Sequence, residues 1–129
     1  MKVFICNCNG EVNIPKNFDF GEDVDVKIVN DIFSEDVRKE IESSIKDCER
    51  VVIAGQSPRI VERFFNNPNI EIVNIREQVV WIGHGPKKIV ELIEGAVEKL
   101  RNSKSVKKKR FPIKNKSVLI IGGGVAGLE

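Results

Sequence analysis

The pattern of apolar and polar positions changes period several times along the chain, and each change marks an element. Residues 3–6 are a continuous apolar run closed by Asn7-Cys8-Asn9-Gly10, which predicts a buried strand and a turn. Residues 11–23 keep no period and include Pro15 and Gly21, so they read as a long connection with little regular structure. Residues 24–29 alternate, with Val24, Val26 and Ile28 on one face of a second strand. Ser34 then precedes Glu35 and Asp36, a capping hydroxyl followed by acids in a first helical turn. Val37, Ile41, Ile45 and Cys48 fall on one face of that helix. Residues 51–54 form an all-apolar third strand. In the segment that follows, Ser57 is a candidate N-cap and Pro58 takes the first helical position. A short helix is predicted over 60–65 and a fourth strand over 70–75. Residues 76–85 look irregular. Pro86 opens a long helix with the stripe Ile89, Ile93, Ala96, Val97 and Leu100.

Strands alternating with helices imply right-handed crossovers and a mainly parallel α/β sheet. Four strands belong to an N-terminal domain over residues 1–103. A basic linker follows over 104–116, and residues 117–129 read as the truncated start of a dinucleotide-binding domain, contributing a fifth strand at 117–121. The final Leu128-Glu129 reads as a cloning remnant.

Composition narrows the class. The 129 residues are 41% hydrophobic and 31% charged, which describes a globular chain rather than a disordered one. A net charge of +2 gives no case for nucleic acid. The run Lys107-Lys108-Lys109-Arg110 lacks interleaved aromatics and reads as linker. No stretch reaches the ~18 apolar residues of a membrane span. Three cysteines without an export signal argue for a reduced, cytoplasmic protein and against a disulfide framework.

Two groups of residues carry candidate chemistry. The first is Gly122-x-Gly124-x-x-Gly127, placed directly after an apolar run. Its glycines serve a tight turn, close approach to a pyrophosphate, and helix-on-strand packing. The ribose-binding acid and later strands of such a fold are absent, so bound nucleotide is not expected on this piece alone. The second is a rim. Parallel strands share one carboxyl edge, where sites are built. That edge should collect Cys6 and Cys8, then Gln56 and Arg59, then Arg76 and Trp81. The arginines either bind a ligand or pair with Glu62 and Glu77. Cys6-x-Cys8 is too small for a tetrahedral thiolate site, and Cys48 reads as a buried inert thiol. His84, between two glycines, reads as ordinary surface. No catalytic residue and no metal ligand is assigned.

Four segments in order resemble the N-terminal region of the heterodisulfide reductase A-subunit family. They are Phe4-Ile5-Cys6-Asn7-Cys8-Asn9-Gly10, the run from Val51 to Ser57-Pro58-Arg59, Asn74-Ile75-Arg76-Glu77-Gln78-Val79-Val80-Trp81, and the glycine motif. The resemblance covers nearly the whole chain. It implies an iron–sulfur flavoprotein, FAD on Gly122, Gly124 and Gly127 in the parent protein, and electron transfer in a multi-component complex. It also implies cysteines at four places supporting a cluster. Here those places hold Phe33-Ser34, Gln56, Val79 and the altered Cys6-Asn7-Cys8-Asn9-Gly10. Phe and Val cannot ligate iron and Gln is a poor ligand. The expectation is a domain that keeps the fold, has lost the cluster, and serves as a docking scaffold. Its expected partners are the parent flavin domain and other redox subunits. The alternative is a small-anion or nucleotide site using Arg59 and Arg76.

Overall fold

A computed structural model describes residues 1–47, 50–104, 112, 117, 119 and 121–124. In chain order the elements are β1 (Lys2–Cys6), β2 (Asp25–Val29), α1 (Glu35–Lys46), β3 (Val51–Gly55), α2 (Pro58–Val61), β4 (Ile70–Asn74) and α3 (Pro86–Asn102). The four strands form one parallel sheet in the order β2-β1-β3-β4. The α/β class with four parallel strands is as the periodicity predicts. The chain steps one way from β1 to β2, then crosses back to β3 and on to β4. Its topological switch point therefore lies between β1 and β3.

The register assigns the two faces. Val26, Val3, Val52 and Glu71 share one row, and Lys27, Phe4, Ile53 and Ile72 the next. Glu71 pairs with Lys99 of α3 at 2.7 Å, while Lys27 pairs with Glu40 of α1. So α3 covers the first face and α1 the second. The central strands are buried apart from Lys2 at the start of β1, which explains why 3–6 and 51–54 read as unbroken apolar runs. Ile41 of α1 and Ile89, Ile93, Val97 and Leu100 of α3 close the core from either side.

The connection from β1 to β2 has no crossover helix, only the 3-10 turn Cys8–Gly10. It packs through Val12 and Phe20. Arg101 ties it to the end of α3, donating to the Phe20 carbonyl at 2.5 Å and pairing with Asp23 at 2.6 Å. Arg50, just before β3, donates to the carbonyls of Leu100, Arg101 and Ser103 (2.9 Å and 3.1 Å for the last two). A guanidinium thus satisfies the orphan carbonyls at the C-terminus of α3.

Three expectations change. The short helix starts at Pro58, the first helical position read from the sequence, but ends at Val61 rather than running on to 65. Pro at the first position needs no N–H partner, and the Ser57 carbonyl accepts from Ile60 and Val61 at 3.0 and 3.2 Å. Residues 76–80, expected to be irregular, form a π-helical turn, Arg76–Val80. On β2, Ile28 is 46% exposed, because this edge strand has neighbours on one side only. The expected fifth strand falls largely outside this description: residues 118 and 120 are not among the described ones, and 117, 119 and 121 lie in no strand. The basic run 107–110, Cys48 and Gly127 also lie outside the described residues.

Candidate functional site

At the carboxyl edge the strands end on Cys6, Val29, Gly55 and Asn74. Cys6 and Gly55 face each other across the switch point. A Cβ on Gly55 would sit 2.8 Å from that of Cys6, so only glycine lets the two strands close here. After Cys6 the chain does not fan outward. Asn7 adopts a right-handed helical conformation (φ −80°, ψ 0°), and Cys8 and Asn9 take φ of 51° and 57°. These angles, unusual for residues other than glycine, fold Cys8 back onto Cys6. The turn is held on the β2 side, where Asn7 Nδ2 donates to Asn30 Oδ1 at 2.8 Å and Asn9 N donates to the Asn30 carbonyl at 2.9 Å.

The fold back makes the two thiols unequal. The Cys8 backbone N–H donates to Cys6 Sγ at 3.2 Å, and Cys6 Sγ lies 3.3 Å from the Asn30 carbonyl. The Cys8 thiol, which reaches the Cys6 carbonyl at 3.9 Å, and backbone N–H groups lower the Cys6 pKa from 9.0 to about 7 against the opposing effect of burial. The closeness of the two side chains, together with burial and the neighbouring thiolate, pushes Cys8 upward. Cys6 is the thiolate-forming partner and Cys8 keeps its proton. Both are free thiols and both are buried.

Two strands from Cys6 along the same edge, Asn74 ends β4 and organises the π turn. Its Oδ1 accepts from the Glu77 backbone N–H at 3.1 Å, and its Nδ2 donates to Glu77 Oε2 at 3.0 Å. Within the turn the Trp81 N–H reaches the Arg76 carbonyl at 3.0 Å. That five-residue step sets the Arg76 guanidinium 4.7 Å from the centre of the Trp81 ring. Arg76 Nε also approaches Glu11 Oε2 to 3.0 Å. Trp81 remains 61% exposed and Ile82 63%.

Cys6 closes β1, Gln56 follows β3 and Arg76 follows β4 on the carboxyl side of the sheet, with Cys8 in the turn after β1 and Trp81 directly after the π turn. Gln56 is half-buried, and Arg59 is exposed on the first turn of α2. Arg76 pairs with Glu11, not with the neighbouring Glu77. Sequence reasoning missed Asn74, Glu11 and Asn30. Asn74 has a readable signal, a polar residue closing an apolar strand before a turn. Glu11 has none, since a loop of no fixed period brings it back. Grooves of about 380 Å³ beside β4 and α3, and about 440 Å³ beside Phe33 and Arg38, include none of the thiols or Arg76.

No protein-family model matches the chain, and no solved structure matches it. Curated sequences do. The iron–sulfur A-subunit of CoB–CoM heterodisulfide reductase from Methanocaldococcus jannaschii is 33% identical over 98% of this chain and 23% of its own length. Its counterpart from Methanopyrus kandleri, the first iron–sulfur A-subunit of CoB–CoM heterodisulfide reductase, is 34% identical over 98% of this chain and 22% of its own. The A-subunit of a ferredoxin:CoB–CoM heterodisulfide reductase from Methanosarcina mazei is 34% identical over 98% and 19%. The chain matches the N-terminal region of the heterodisulfide reductase A-subunit. It spans about a fifth of the length of the relatives it matches.

The positions where the heterodisulfide reductase resemblance implies cluster cysteines can be tested against the donor chemistry here. Val79 is wholly buried in the core, and Phe33 packs at a tilt against Phe64 with ring centres 4.9 Å apart. Neither side chain carries a donor. Among the described residues no group of three or more His, Cys, Asp and Glu could hold a metal ion. The residues present do not fit a four-cysteine cluster. In the glycine motif Gly122 takes φ +116°, a conformation glycine supplies freely, and Gly124 is exposed. Among the described residues no helix is long and apolar enough to cross a membrane.

Proposed function

We propose that this chain acts as the N-terminal docking scaffold of an FAD-dependent, electron-transferring protein of the heterodisulfide reductase type, with an iron–sulfur site that has degenerated. The observation that carries this reading is Trp81. Its indole is mostly exposed yet held against Arg76, which is itself tied to Glu11. A large aromatic with an arginine beneath it, placed at a sheet edge, has the make-up of an interface anchor. The flavin would sit on Gly122, Gly124 and Gly127 within the longer polypeptide, and would supply the redox chemistry there. Partners are the parent flavin domain and other subunits of a cytoplasmic redox complex.

The test is binding of the purified flavin region of the parent polypeptide, supplied in trans. Trp81→Ala should weaken association about tenfold or more while leaving thermal stability nearly unchanged. Unaltered affinity would remove Trp81 from the interface. The small-anion alternative through Arg59 and Arg76 is less well supported, because Arg76 is already engaged by Glu11 and Trp81. Phosphate titration followed at the two guanidinium groups decides it, with joint saturable shifts favouring the anion.

A further inference from the structure

The docking reading makes no use of the two thiols at the switch point. Their arrangement is more specific than a pair of buried cysteines requires. Asn7 and the left-handed Cys8 turn the chain so that the Cys8 thiol folds back to within 3.9 Å of the Cys6 carbonyl. The Cys8 N–H points into Cys6 Sγ at 3.2 Å. Gly55 leaves room for the Cys6 side chain on the other flank. Neither thiol belongs to a group of three or more metal-ligating side chains among the described residues.

We propose that Cys6 and Cys8 are a two-electron redox pair, closing reversibly to a disulfide when a peroxide of near-water size reaches them. Cys6 is fully buried and Cys8 is 7% exposed, so the way in is narrow and lies on the Cys8 side. In the first step the Cys6 thiolate attacks one peroxide oxygen. The O–O bond breaks, Cys6 becomes a sulfenic acid, and hydroxide leaves and takes up a proton as water. In the second step the Cys8 sulfur gives up its proton and attacks Cys6. The S–O bond breaks, the S–S bond forms, and the leaving hydroxide departs with that proton as a second water. Two thiols are oxidised by one peroxide, and a dithiol reductant restores them by exchange. The unequal acidities fit these roles: Cys6 ionises near neutral pH, and Cys8 holds its proton until the second step. Closure also removes the Cys6 thiol from the Asn30 carbonyl, loosening the β1–β2 side of the rim.

The experiment uses the reduced 129-residue chain with one equivalent of hydrogen peroxide, followed by denaturation in N-ethylmaleimide, which opens every free thiol to the reagent, and peptide mass analysis. The peptide holding Cys6 and Cys8 should emerge unlabelled and lighter by two hydrogens than the dithiol, while Cys48 takes the label. Dithiothreitol should restore both labels. Cys8→Ser should halt at a Cys6 sulfenic acid that dimedone traps, and Cys6→Ser should slow peroxide consumption at least tenfold. Circular dichroism establishes that each variant is folded. The proposal is overturned if Cys6 passes to sulfinic acid while Cys8 stays free. A disulfide formed through Cys48 or between chains, or full labelling of both thiols after peroxide, overturns it equally.

Discussion

Cys6 and Gly55 meet so closely that each restricts the other. Gly55→Ala brings a methyl within 2.8 Å of the Cys6 Cβ, and the two central strands must part to accept it. The expected cost is about 1–3 kcal/mol, as for other overpacked core positions. Urea denaturation measures it, and Cys6→Gly in the same chain should recover part of the loss. The thiol pair also makes stability depend on pH. Between about 7 and 9.0 the native Cys6 is ionised while its unfolded counterpart still holds a proton, so stability rises with pH. Above 9.0 the unfolded Cys8 ionises while the native one, shifted upward, does not, and stability falls. Wild-type stability minus that of the Cys6→Ser, Cys8→Ser double variant should therefore peak near pH 9.0. A flat difference would refute the inequality of the two sulfurs. The motif Cys6-x-Cys8 is plain in the sequence. Its inequality is not, because that comes from a backbone N–H and from a left-handed φ at a residue other than glycine.

Among the elements, α3 has its C-terminal carbonyls answered by one side chain far away in the sequence. Arg50→Met keeps the aliphatic stem and removes the donors to Leu100, Arg101 and Ser103. Hydrogen bonds from charged groups contribute about 1.5–3 kcal/mol, and a loss of that order is expected in a urea titration. The elements themselves are largely legible. β1 and β3 are apolar runs because both faces are covered, and α3 shows its buried stripe openly, whereas α1 fully buries only Ile41 of its expected stripe, with Val37 and Ile45 half-buried. The π turn at Arg76–Val80 is hidden, since its apolar residues fit neither a period of 2 nor one of 3.6. Asn74 and the Trp81 N–H shape it instead. The edge position of β2 is hidden too. Alternation announces a strand with one buried face, but a sheet order in which β2 has a single neighbour leaves Ile28 half in solvent.

At the scale of the molecule, strand order does what no single motif does. Crossing back from β2 to β3 opens the switch point between β1 and β3, and places the thiols there with the Arg76–Trp81 pair at the same edge. Parallelism could be read from alternating elements, and from it the sharing of one edge by Cys6, Gln56 and Arg76. The strand order and the contact between Glu11 and Arg76 could not, since both depend on a connection without period. The central claim is that this edge is a docking rim whose cluster site has degenerated. Phe33, Gln56 and Val79 at the resemblance-implied ligand positions support it. The direct test is anaerobic reconstitution of the chain with iron and sulfide, followed by desalting, metal analysis and visible absorption. The account predicts no stoichiometric iron and no charge-transfer absorption; one cluster per chain, retained through desalting, would contradict it.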